Sequence, residues 1–172
     1  MKLVIGLGNP EKKYRNNRHS VGYVVVDDLK NSACAGRSKN PKIQNSKQFK
    51  ILKSDKFMND SGSFVFKNLK TYSIKPEALY IIHDDLDIKL GEYKIQFGKG
   101  PKEHKGLVSI YEALGTRNFW HVRVGIENRQ QALGTKIKGE DYVLEDFTKE
   151  EAVRVEQVVK KVVNDLCKKL AI

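Results

Sequence analysis

Short apolar runs of strand length alternate along this chain with stretches of helical periodicity, and that alternation restricts the fold to the α/β class. Leu3 to Leu7 is an apolar run closed by glycine and reads as a buried central strand. Gly8-Asn9-Pro10 follows as a turn, because proline cannot continue the strand. Val21, Val24, Val25 and Leu29 recur at helical spacing and predict a helix over about residues 18 to 31. Gln48 to Leu52 is a further strand candidate, and Asp60 or Ser61 is placed to cap a helix containing Val65, Leu69 and Tyr72.

The pattern repeats downstream. Leu79 to Ile82 is an apolar strand running into an acidic cluster, His83-Asp84-Asp85-Leu86-Asp87. Glu92 to Phe97 and Trp120 to Ile126 alternate as strands do, with a helix predicted near 104 to 114 between them. Thr148-Lys149-Glu150-Glu151 is a capping box, and Val155, Val159, Val162, Leu166 and Leu170 share one face of the helix behind it. Residues 31 to 50 carry five basic and no acidic side chains and read as a polar connection. The expected architecture is a single domain over residues 1 to 172. It is an α/β/α sandwich with a twisted mixed β-sheet flanked by helices. In such sheets ligands gather at the C-terminal ends of strands, so the Asn9 turn and the Asp84 cluster are expected on one rim.

Charge and cysteine content bound the partners. The chain has 172 residues, long enough for a core without metals or disulfides. Its 32 Lys and Arg against 21 Asp and Glu give a net charge of +11. Such an excess attracts polyanions, though it also serves solubility alone. Cys34 and Cys167 lie far apart without C-x-x-C or zinc spacing, which favours separate thiols and a reducing compartment. No segment reaches the roughly 20 apolar residues of a membrane span, and the N-terminal apolar run is too short for a secretory signal. A cytoplasmic location is the expectation.

The chemistry-bearing residues are few. Gly6-Leu7-Gly8-Asn9-Pro10 begins like a dinucleotide fingerprint, but Glu11 stands where the third glycine is needed. P-loop and G-x-S-x-G patterns are absent. His19 opens the first helix and Asp84 lies at another strand's exit. A histidine with a carboxylate partner is the simplest general-base pair, the carboxylate fixing the tautomer and stabilising the charged imidazole. Asn9 and Asn59 carry amides that both donate and accept, which suits an ester or peptide carbonyl; each is equally at home in a turn or cap. The Asp84–Asp87 cluster also fits magnesium or a simple turn. His83 reads as structural.

Taken together these residues resemble the bacterial-type peptidyl-tRNA hydrolase family. The resemblance rests on Val4-Ile5-Gly6-Leu7-Gly8-Asn9-Pro10, Tyr14, Arg18-His19-Ser20-Val21-Gly22 and Phe57-Met58-Asn59-Asp60-Ser61-Gly62. His83-Asp84-Asp85-Leu86-Asp87, His104-Lys105-Gly106-Leu107, Arg123-Val124-Gly125-Ile126 and Tyr142-Val143-Leu144 follow in order, so it spans about residues 2 to 147. It implies hydrolysis of the ester between peptide and tRNA, with His19 deprotonating water and Asp84 orienting His19. It also implies that Asn9, Asn59 and the His104–Lys105 block hold substrate and water, that Tyr14 and Met58 line a peptide groove, and that Lys94 and Arg123 meet tRNA phosphate. No cofactor, no metal, no membrane and a monomer are what it leads one to expect.

Three departures from the family pattern stand out. Lys105 occupies a position that is usually asparagine, and an ammonium cannot accept a hydrogen bond; phosphate or a developing oxyanion are its alternative partners. The loop Gly98-Lys99-Gly100-Pro101-Lys102-Glu103 is more charged and stiffer than the family's glycine-rich loop. The connection from Leu29 to Phe57 is short, which suggests a lost edge strand or hairpin. Two other readings remain: a non-catalytic RNA-binding protein of the same fold, and a metal- or nucleotide-dependent enzyme built on the Asp84–Asp87 cluster.

Overall fold

The computed structural model describes residues 1–32, 49–129 and 137–170. Five strands form one sheet in the order β2-β1-β3-β5-β4: β1 Lys2–Gly6, β2 Phe49–Lys53, β3 Leu79–Lys89, β4 Tyr93–Phe97 and β5 Trp120–Glu127. β1 pairs in parallel with both β2 and β3, β3 pairs in parallel with β5, and β4 closes the other edge antiparallel to β5. Helices α1 (Val21–Asn31) and α5 (Lys149–Leu170) cover one face; α2 (Ser61–Thr71) and α3 (Lys105–Leu114) cover the other. The expected three layers and mixed sheet are present. The short helix α4, Gly139–Tyr142, precedes α5.

The period-two alternation of the strands builds these layers. Val4, Tyr80, Ile82, Val122, Val124 and Ile126 join the core with α1 and α5, while Leu3, Ile5, Leu79 and Ile81 join the core with α2 and α3. The capping box closes as expected. Thr148 N–H donates to Glu151 Oε2 at 3.0 Å and Glu151 N–H to Thr148 Oγ1 at 3.2 Å. Asp60 sits at the N-cap of α2 without a side-chain hydrogen bond, so its expected capping role is not realised there.

The glycines of the first motif serve packing rather than phosphate binding. A Cβ on Gly6 would lie 2.3 Å from the carbonyl oxygen of Gly22, and one on Gly22 2.5 Å from the carbonyls of Leu7 and Ile82. Two missing side chains thus let α1 sit directly on β1 and β3. Cys167 is disulfide-bonded, which corrects the expectation of separate thiols; Cys34 lies outside the described residues. So does the segment 33–48, where the sequence suggests a lost hairpin. Among the described residues no helix is long and apolar enough to cross a membrane.

Candidate active site

β3 runs through the acidic cluster instead of ending before it, so the expected strand exit at Asp84 is corrected to a position inside the strand. The site still forms there because β1 stops first. β1 pairs with β3 only as far as Ile82, and its chain then turns away after Leu7. Asp84 therefore projects beyond the end of its neighbour, at the crevice where the connections from β1 and β3 diverge. The turn after β1 brings Asn9 and His19 into that crevice.

His19 Nδ1 lies 2.7 Å from Asp84 Oδ1, with both side chains buried. His104 Nε2 reaches the same oxygen at 3.0 Å. The other ring nitrogen of His104 accepts the Leu107 N–H at 3.3 Å, so Nε2 carries the proton and donates to Asp84. With Nδ1 of His19 likewise donating, its Nε2 remains as the lone pair. Burial alone would raise the Asp84 carboxyl; the two imidazoles outweigh it and hold the group far below the ordinary carboxylate range.

The rest of the cluster is divided among separate tasks. Asp85 accepts Arg123 Nε at 2.7 Å and the Asp87 N–H at 2.8 Å. Asp87 accepts the Lys102 N–H at 2.9 Å and so ties down the loop before α3. The three carboxylates do not converge on one point. Among the described residues, the side chains able to hold a metal ion together are His19, Asp84 and His104, whose ligand atoms lie within 4.8 Å of one another.

His19 is fixed by the segment that forms the opposite wall. Its N–H donates to Val143 O at 2.9 Å, and Arg18 N–H donates to Glu145 O at 3.1 Å. Buried Arg18 adds a 2.6 Å ion pair with Glu151 and packs over the Tyr142 ring. Asn17 hydrogen-bonds Leu144 O. These contacts tie the 139–147 segment to the backbone that carries the histidine.

An open cavity of about 610 Å³ lies over this network. Asn9, His19, Met58, Asn59, Asp84, His104 and Lys105 all line it, so most of the sequence-predicted residues are brought together. The Asn9 carboxamide oxygen accepts the Met58 N–H at 3.2 Å, leaving its NH2 end as the donor on offer. Tyr14 is not among the lining side chains; it packs edge-on against Phe57, which is. Lys94 is exposed on β4, in register with Arg123. Arg123 itself is 5% exposed and bound to Asp85 and Gln96, away from the cavity lining. Glu103, from the altered charged loop, also reaches the rim, whereas Lys138 and Glu140 were not singled out by the sequence, having no pattern to mark them.

All four histidines of the chain gather here. His19, His104, His83 and His121 form a continuous line with ring centroids 5.0, 5.2 and 5.6 Å apart. His83 and His121 are fully buried, and burial followed by neighbouring charges holds both below the ordinary imidazole range, His121 at about 4. Both are thus neutral in the fold and gain a charge more readily when unfolded, near pH 6.5. Stability is complete above that value and falls as pH drops towards 4. His121 alone contributes a loss of about 3 kcal/mol. Thermal unfolding followed between pH 7 and pH 4 is expected to show this decline, and an H121N variant to show a shallower one; a flat wild-type profile would contradict it.

A carboxylate-oriented histidine stands at the crevice of a mixed α/β sheet, under an open cleft lined by side-chain amides, an arrangement that general-base chemistry requires. The profile of one family, described as peptidyl-tRNA hydrolase, matches residues 3–171. The peptidyl-tRNA hydrolase of Aquifex aeolicus is 36% identical over 185 residues, covering 100% of this chain and 91% of that protein. That of Mycoplasmopsis agalactiae is 37% identical, covering 94% and 85%. The crystal structure of the Acinetobacter baumannii peptidyl-tRNA hydrolase superposes with a TM-score of 0.80 at 29% identity, covering 99% of this chain and 88% of that one. The chain belongs to the peptidyl-tRNA hydrolase family.

Proposed function

We propose that this protein hydrolyses the ester between the peptide carboxyl and the terminal ribose of peptidyl-tRNA, releasing tRNA and peptide. The observation that carries the mechanism is the buried 2.7 Å pair of His19 and Asp84 on the cavity lining. Water bound at His19 Nε2 attacks the ester carbonyl carbon as the imidazole takes its proton. Asp84 stabilises the imidazolium, and His104 holds the carboxylate in place from the other side. The Asn9 NH2 group and the Asn59 amide polarise the carbonyl oxygen as negative charge develops. Collapse breaks the bond to the ribose oxygen, which receives the proton from His19. Neither a covalent enzyme intermediate nor a metal ion takes part.

Met58, Phe57 and Leu144 give the peptide an apolar bed, with Tyr14 supporting Phe57. Lys94 and the net charge of +11 draw in the tRNA phosphates. The protein acts as a single-domain monomer in the cytoplasm. The test is release of an N-blocked amino acid from charged tRNA, with and without chelator. Chelator-resistant release is expected. Release abolished by chelator would place a metal among His19, Asp84 and His104; tRNA binding without release would leave an RNA-binding protein.

A further inference from the structure

We infer that Lys105 is an anion site for the phosphodiester nearest the scissile ester, and that Glu140 fills that site in the free protein as a built-in competitor. The inference rests on the peptidyl-tRNA reading above. Lys105 opens α3 directly after His104, one residue from the ring that binds Asp84. Its ammonium does not turn towards the His19–Asp84 pair. It reaches across the cleft to Glu140 on α4, with Nζ to Oε2 at 3.5 Å. Both residues line the cavity, so the pair spans its mouth.

The environment distinguishes this pair from a structural tie. Arg18 and Glu151 meet at 2.6 Å with side chains 4% and 8% exposed. Lys105 and Glu140 are 65% and 63% exposed at a longer distance. A pair so exposed is held only weakly, so it exchanges readily for another anion. An ammonium donates and never accepts, and it takes a carboxylate or a phosphodiester as equivalent singly charged partners. Among the described residues, the other charges on this rim are Glu103 and Lys138. The substrate brings a phosphodiester one nucleoside away from its ester. On binding, that phosphate takes Lys105 and Glu140 is released to water.

The test uses wild type, E140Q, K105Q and the double variant, at fixed low salt, with two N-acetyl-aminoacyl esters. One is the ester of adenosine, which has no phosphate; the other is the ester of the dinucleotide cytidylyl-adenosine, which has one. For the dinucleotide ester, E140Q is expected to lower KM about two- to five-fold and K105Q to raise it about ten-fold. E140Q should have no effect in the K105Q background, because the two act through one contact. E140Q should leave KM for the adenosine ester unchanged, and K105Q should raise it less than for the dinucleotide ester. Equal responses of both esters would mean that the pair only obstructs the cleft; an unmoved KM for the dinucleotide ester would remove the anion site. If wild type cleaves neither ester, release from charged tRNA decides the hydrolase reading separately. The same four proteins titrated with free cytidylyl-adenosine and with adenosine then decide the anion site by the same pattern in Kd.

Discussion

Replacing His19 by alanine is expected to lower turnover of an N-blocked aminoacyl-tRNA by about a hundred- to ten-thousand-fold, with little change in KM. That factor corresponds to roughly 3 to 5 kcal/mol of transition-state stabilisation. The side chain makes one hydrogen bond, to Asp84, and Asp84 keeps its second partner in His104. The backbone of residue 19 stays anchored on Val143. The variant should therefore fold, and its circular dichroism and tRNA affinity should match wild type. Loss confined to turnover separates a group that acts on water from one that holds substrate. Normal turnover would remove the general-base assignment altogether.

The same local network shows which parts of the molecule a sequence can display. Helix α5 was legible to its first residue, because a capping box and an apolar stripe both act within a few residues of chain. The strands were legible for the same reason. His19, Asn9, Met58, Asn59 and His104 were found through short motifs, and the fold gathers them on one cavity. What stayed hidden depends on partners distant in sequence. Asp84, Asp85 and Asp87 read as a strand exit open to a general-base partner, magnesium or a turn, yet they continue β3, Asp84 and Asp85 in register with β5, and each carboxylate is engaged by a different group: His19 and His104, Arg123, and the Lys102 N–H. Lys105 meets Glu140 and Arg18 meets Glu151 across separations of 35 and 133 residues. No periodicity records such pairings. His83 illustrates the opposite case: read as structural, it is a buried neutral ring.

Arg123 provides the sharpest division between the two kinds of knowledge. The family resemblance places it at tRNA phosphate, whereas the fold buries it against Asp85, with Nη1 held by Gln96 at 2.8 Å. Removing one partner of a buried pair strands the other, at a cost of roughly 3 to 5 kcal/mol. Arg123→Met is thus expected to lower the thermal midpoint by about 10 °C at neutral pH, given some 2 to 4 °C per kcal/mol for a chain of this size. Burial already raises the Asp85 carboxyl, and Arg123 is what pulls it back. Without the guanidinium the group rises further, and its protonated form is favoured in the fold. The deficit relative to wild type should then be largest at neutral pH and shrink as pH falls through the raised folded-state range of this carboxyl, which lies above its ordinary value near 4. Asp85→Asn in the same background should recover much of the loss, since a neutral amide leaves no stranded charge. A variant that keeps wild-type stability and instead loses only the salt dependence of tRNA binding would return Arg123 to the phosphate surface.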